Sequence, residues 1–230
     1  MEYRSPKTLS VISISGLAAC MILQLVAGLA GFAQILGPDR LLKGSGPSIP
    51  IYIETFVGSV YFPAYLFTAV VFLMWLFRAH KNLQFLRPDL LEFSSGWAVG
   101  WWFVPFASLW KPFQAVREVW SESDPEFEPD GPVFLSAGFH AAPRYMVVWW
   151  IAWLAMLVCS NFGNIVYSIP GITTVDFGGM VFLQAVLEIF AASLAIWVIK
   201  DITTRQDARH DRLGVALEHL PPAPPTFDQP

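Results

Sequence analysis

Charge is scarce in this chain. Asp, Glu, Lys and Arg make up 14% of its 230 residues, against about 25% in a typical soluble domain. Hydrophobic residues make up 55% and the mean hydropathy is +0.51, which excludes a water-soluble globule. A basic surplus is missing too: the net charge is −4, the wrong sign for a nucleic-acid binder, which must meet phosphates with cations. Cysteine is nearly absent. Cys20 and Cys159 both lie in apolar runs, leaving neither a disulfide framework nor a zinc site. His80, His140, His210 and His219 stand at no metal-ligand spacing, and no GxSxG, Walker loop, dinucleotide fingerprint or HExxH occurs. With no nucleophile–base pair in view, the chain reads as a non-enzyme that needs no cofactor.

What the chain does have is long apolar runs. A bilayer core is about 30 Å thick and takes roughly 20 apolar residues in a helix. Residues 9–36, 51–77, 145–169 and 176–199 qualify, interrupted only by Glu54, Asp176 and Glu188. Helices satisfy every backbone group internally, as hydrocarbon demands. The expectation is an all-α membrane protein with four transmembrane helices. One integral domain covers 1–200 and a tail covers 201–230. The run at 9–36 is too long for the apolar core of a signal peptide, so it is expected to be a retained helix.

Four spans put every Lys and Arg except Arg40 and Lys43 on one side. The positive-inside rule makes that side cytoplasmic, with both termini there. A fifth span at 93–110, which carries no charge, would reverse the majority. Pro105 also breaks it. The segment 96–110 is instead expected to be interfacial or re-entrant on the cytoplasmic face, its Trp97, Trp101, Trp102 and Trp110 at headgroup level.

That segment belongs to a cytoplasmic cap at 78–144. Leu109, Phe113, Val116 and Trp120 recur at helical steps and predict an amphipathic helix, with Pro112 tolerable in its first turn. The acids Glu122 to Asp130 lack the calcium-loop carboxylate that Ala137 replaces, so they read as a solvated linker. The outer loop at 37–50 reads as a plain connector and the one at Pro170-Gly171 as a tight turn. Pro221 to Pro225 has no packable face, and the tail is expected to be disordered from about 220.

Inside the spans, small and polar residues form stripes at steps of three and four. The first is Ser13, Gly16, Cys20, Gln24, Ala27 and Gly31. The second is Glu54, Gly58, Tyr61, Tyr65 and Thr68. The third span offers Asn161, Asn164 and Ser168. The fourth offers Gln184, Glu188, Ala191 and Ala195. Such faces pack helix against helix. Gln24, Tyr65, Asn161, Gln184 and Glu188 are therefore the buried polar candidates. An acid at a span centre costs about 2.5–3.5 kcal/mol on insertion scales, so Glu188 should turn from lipid, protonated or tightly hydrogen-bonded. It is either a proton- or cation-handling group or structural glue between helices. Glu54, near the outer boundary, is expected to be solvated.

Trp75-x-x-Arg78-x-x-x-Asn82, Gly96-Trp97-x-x-Gly100-Trp101-Trp102 through Pro105, Leu109-Trp110-Lys111-Pro112 and Glu118-Val119-Trp120 resemble the bacterial membrane family called domain of unknown function 4328. Trp149-Trp150 and Ile202, Thr203, Arg205 and Gln206 extend the resemblance over about 50–210. It implies a multi-pass bacterial inner-membrane protein and supplies no activity or catalytic residue. Arg78 is expected to reach lipid phosphates or pair with Glu118, and Asn82 to cap backbone opened by Pro105. The cap is then either a clamp or a groove for lipid headgroups or a partner, with Arg78, Lys111 and Arg117 facing anions. Membrane lipids and a second copy or another membrane protein are the expected partners. The function expected is an interaction or membrane-organising component, with a small transporter or channel subunit using Glu188 as the alternative.

Overall fold

The computed structural model describes residues 3–37, 49–86, 91–126, 142–167 and 174–218. Four helices in it are long and apolar enough to cross a membrane. They are α1 (Lys7–Leu36), α2 (Ile49–Leu86), α5 (Arg144–Tyr167) and α6 (Thr174–Glu218). Between α2 and α5 come the short α3 (Ser95–Gly100), two 3₁₀ turns at Trp101–Phe103 and Ala107–Leu109, and α4 (Lys111–Glu122). No strand occurs among the described residues. The connector at 38–48, residues 127–130 of the acidic run, the turn expected at Pro170-Gly171, His140, His219 and the proline-rich end lie outside the described residues, as do the side chains of Asn164 and Ser168.

Helix α1 packs against both α2 and α6, and α6 packs in turn on α5. The centre of the bundle is thus the α1–α6 pair, flanked by α2 and α5. Glycine makes that crossing close. A Cβ on Gly31 would lie 2.6 Å from the Gly178 carbonyl oxygen, and one on Gly178 would lie 2.6 Å from that of Gly31. Lipid tails are as apolar as leucine, so helices in a bilayer gain by approaching closely rather than by hiding apolar surface. Outward-facing Ile22, Leu29, Phe56, Phe67 and Ile151 leave the bundle greasy outside.

The 93–110 stretch is no fifth span. Ser94 Oγ accepts the Trp97 amide at 3.3 Å and caps α3, which ends at Gly100, and Pro105 separates the two 3₁₀ turns. Pro112 sits in the first turn of α4. The buried face of α4 is Pro112, Ala115, Val116 and Val119. The expected face was Leu109, Phe113, Val116 and Trp120, and Leu109 is in fact exposed. The face rotates because α4 lies between α2, α3 and α6 and is gripped from both flanks.

Candidate functional site

The last turns of α2 form the hub of the cap end. Trp75, fully buried, donates its indole N–H to Thr203 Oγ1 on α6 at 3.1 Å. Two turns on, Asn82 Nδ2 donates to the Arg4 carbonyl at 3.0 Å and to Gln206 Oε1 at 3.2 Å, while Asn82 Oδ1 accepts the Arg4 amide at 3.4 Å. Gln206 Nε2 returns a bond to the Ala79 carbonyl at 2.8 Å. Asn82 therefore fastens the N-terminal segment to α2 and α6, and does not cap the Pro105 backbone. Arg209 finishes the seam, donating to the carbonyls of Asp124 at 2.6 Å and Leu86 at 3.3 Å.

Other contacts tie the cap to this hub. His80 on α2 meets Glu118 of α4 at 3.1 Å and Ser95 at 3.3 Å. Glu118 also accepts the Glu92 and Phe93 amides, so its partner is His80 and not Arg78. Asp201 on α6 gathers Trp120 Nε1 at 2.6 Å, the Tyr145 hydroxyl at 2.5 Å and Arg205 Nε at 3.3 Å. Trp102 inserts its ring edge-on against Phe72, Trp150 and Trp153. Trp150 donates to the Leu109 carbonyl at 2.9 Å. Trp97 and Trp101 lie ring on ring, 4.6 Å apart, and Trp97, Trp110, Phe103 and Phe106 project outward. Gly96 has open space where a side chain would be, and Gly100 lies against the Trp97 ring.

Deeper in the bundle, Gln24 Nε2 donates to Glu188 Oε2 at 2.7 Å, and the Tyr61 hydroxyl bonds Glu188 Oε1. Glu188 is buried and borders a hollow of about 360 Å³ between α2 and α5, lined also by Cys20, Ala191 and, at the cap end, Trp102. Tyr65 borders the same hollow but is 39% exposed, and its place beside Glu188 goes to Tyr61, one turn away. Asn161 is exposed and bonds the Leu157 carbonyl of its own helix at 2.7 Å, so it too leaves the buried set. Gln184 is half-buried. Glu54 is not simply solvated: Gln34 donates to it at 2.9 Å.

A second hollow, about 600 Å³, also borders α2 and shares Leu73 with the first. Leu73, Met74 and Phe77 line it together with Arg4, Arg78 and Lys81, and Met74 and Phe77 are themselves exposed. Among the described residues no carboxylate pairs with these three cations. Lys111 and Arg117 are not in its walls; Lys111 is 3.8 Å from Glu92 and lies over the Phe93 ring. The sequence grouped Arg78 with Lys111 and Arg117, neither of which lines this hollow. It did not mark His80, Asp201 and Arg4, because nothing in a single chain tells which helix end meets which. Lys81, three residues from Arg78 on a helix, was the one available signal.

The profile of the family described as a domain of unknown function (DUF4328) matches residues 51–204, from α2 through the upper part of α6. Neither a curated protein nor a solved structure matches the chain.

Proposed function

The chain belongs to the DUF4328 family, and from that premise we propose that it is a membrane-organising or interaction component rather than an enzyme, set in a bacterial inner membrane with both termini cytoplasmic. The observation that supports this is the division of labour in the cap. Its inward side chains are spent tying α2, α4, α5 and α6 together, while Phe103 and Phe106 stand 72% and 79% exposed. Exposed aromatic rings rimmed by polar groups suit contact with lipid or a membrane partner. Phe106 is turned out by a backbone φ of 62°, a conformation that costs a non-glycine residue energy. The test compares the two sides of the cap. Trp102→Ala should lower the melting temperature. Phe103→Ser with Phe106→Ser should leave it unchanged yet remove lipid or protein that crosslinks to the cap in native membranes. If crosslinking persists undiminished in the double variant, this reading is wrong.

A second reading, a small transporter or channel subunit, is favoured by Glu188 bordering the open hollow between α2 and α5. An intramembrane carboxyl beside such a space is suited to passing protons or cations. Equal proton flux in proteoliposomes for wild type and Glu188→Gln, or no flux in either, would end it.

A further inference from the structure

The hollow beside α2 is built in the same order as a phospholipid. From Val70 to Lys81 the helix rises about 16 Å at 1.5 Å per residue. Along that rise the lining passes from Val70, Leu73, Met74 and Phe77 to Arg78 and Lys81, with Asn82 and Phe85 beyond them. Its volume of about 600 Å³ falls in the range of sites that hold small ligands, roughly 300–1,000 Å³. We propose that this groove binds an anionic phospholipid of its own leaflet, with the phosphate among Arg4, Arg78 and Lys81 and an acyl chain along Leu73, Met74 and Phe77.

The charge of the groove selects among lipids. Arg4, Arg78 and Lys81 have no carboxylate counter-ion among the described residues. A zwitterionic headgroup would bring its ammonium into this field, whereas an anionic one brings only attraction. Arg4 comes from outside α2, and Asn82 delivers it by holding both its amide and its carbonyl. Asn82 is in this sense a positioning residue for the site. An acidic protein segment could answer the cations alone, but the apolar continuation down the span matches an acyl chain.

The inference deepens the lipid-facing reading of the cap on a different face, so the two can fail separately. Full-length protein in detergent is titrated with phosphatidylglycerol, phosphatidylcholine of the same chains, or inorganic phosphate. Melting temperature and retained lipid by native mass spectrometry are recorded. Phosphatidylglycerol should raise the melting temperature and stay bound; the other two should do neither. Arg78→Gln with Lys81→Gln should weaken the apparent lipid affinity roughly thirtyfold, at about fivefold per charge, while the lipid-free melting temperature stays put. Lys81→Gln alone, at an exposed position, gives the same direction if the double variant does not fold. An equal response to phosphatidylcholine or to inorganic phosphate would overturn the proposal, as would an undiminished response in the variants. A protein, rather than lipid, crosslinked from position 81 in native membranes would assign the groove to a protein partner and overturn it as well. Loss of lipid selectivity with the Phe103 and Phe106 result intact sinks only this inference.

Discussion

The two ends of the bundle are held together by different means. At the cap end, Trp75, Asn82, His80, Asp201, Gln206 and Arg209 join helices through side-chain hydrogen bonds across long stretches of sequence. At the far end, where side-chain bonds also run from Gln24 and Tyr61 to Glu188 and from Gln34 to Glu54, α1 and α6 meet closely where side chains are missing, at Gly28, Gly31 and Gly178. The difference follows from the solvent each half displaces. Near water, a buried polar group is tolerated only when its bonds are replaced, so polar residues there become fasteners. Within hydrocarbon, dispersion between closely approaching backbones carries association, and interhelical hydrogen bonds add little, averaging about 0.6 kcal/mol.

This contrast sets an order for its tests. Trp75→Ala empties a fully buried ring and leaves Thr203 without its donor, and should cost the most, about 3–5 kcal/mol. Thermal unfolding in nanodiscs reads it. A smaller loss would mean that the cap is less welded than its bonds imply. Gly178→Ala forces a methyl against the Gly31 carbonyl and should cost about 1–3 kcal/mol. Gly58→Ala, with open space beside it, should cost nothing. Equal effects would erase the role given to close approach. Glu188→Gln keeps a partner for Gln24 and should change stability by less than about 1 kcal/mol; a larger loss would show that polar contacts govern both ends. The smallest effect concerns Tyr3, whose phenol donates to Asp207 at 2.8 Å. Burial, and then the Asp207 carboxylate, raise its pKa above the usual tyrosine value. A raised phenol pKa stabilises the fold while the phenol keeps its proton. That contribution is present below about pH 10 and is lost as pH climbs through the folded value. Wild type should therefore lose more melting temperature than Tyr3→Phe between pH 9 and pH 11.

The number of spans and the rejection of a fifth were legible, because hydropathy, charge placement and Pro105 all bear on one chain segment at a time. The stripe on α1 was legible for a related reason. With neighbours on both sides, nearly all its small and polar positions face protein, as Ser13, Cys20, Gln24, Ala27 and Gly31 do. On α2 the same periodicity misled. That helix flanks the bundle, so Gly58 and Tyr65 on its stripe are exposed while Thr68 is buried. Periodicity marks a face but does not say whether another helix, a cavity or lipid lies opposite it. The cap's partners were hidden for the same cause: Asn82 has several hydrogen-bonding groups in reach of a helix end, and only the folded arrangement chooses Arg4 and Gln206. The groove cations suffered equally, since Arg4 and Lys81 are 77 positions apart in the numbering.

Helix α6 runs unbroken for 45 residues, about 67 Å at 1.5 Å per residue, more than twice the roughly 30 Å hydrocarbon thickness. It touches Gly31 near one extremity and holds Asp124 and Leu86 through Arg209 near the other. A rod of that reach crosses the lipid and still runs about 37 Å past it, which is how one helix brings Thr203, Gln206 and Arg209 to α2 and the cap outside the hydrocarbon.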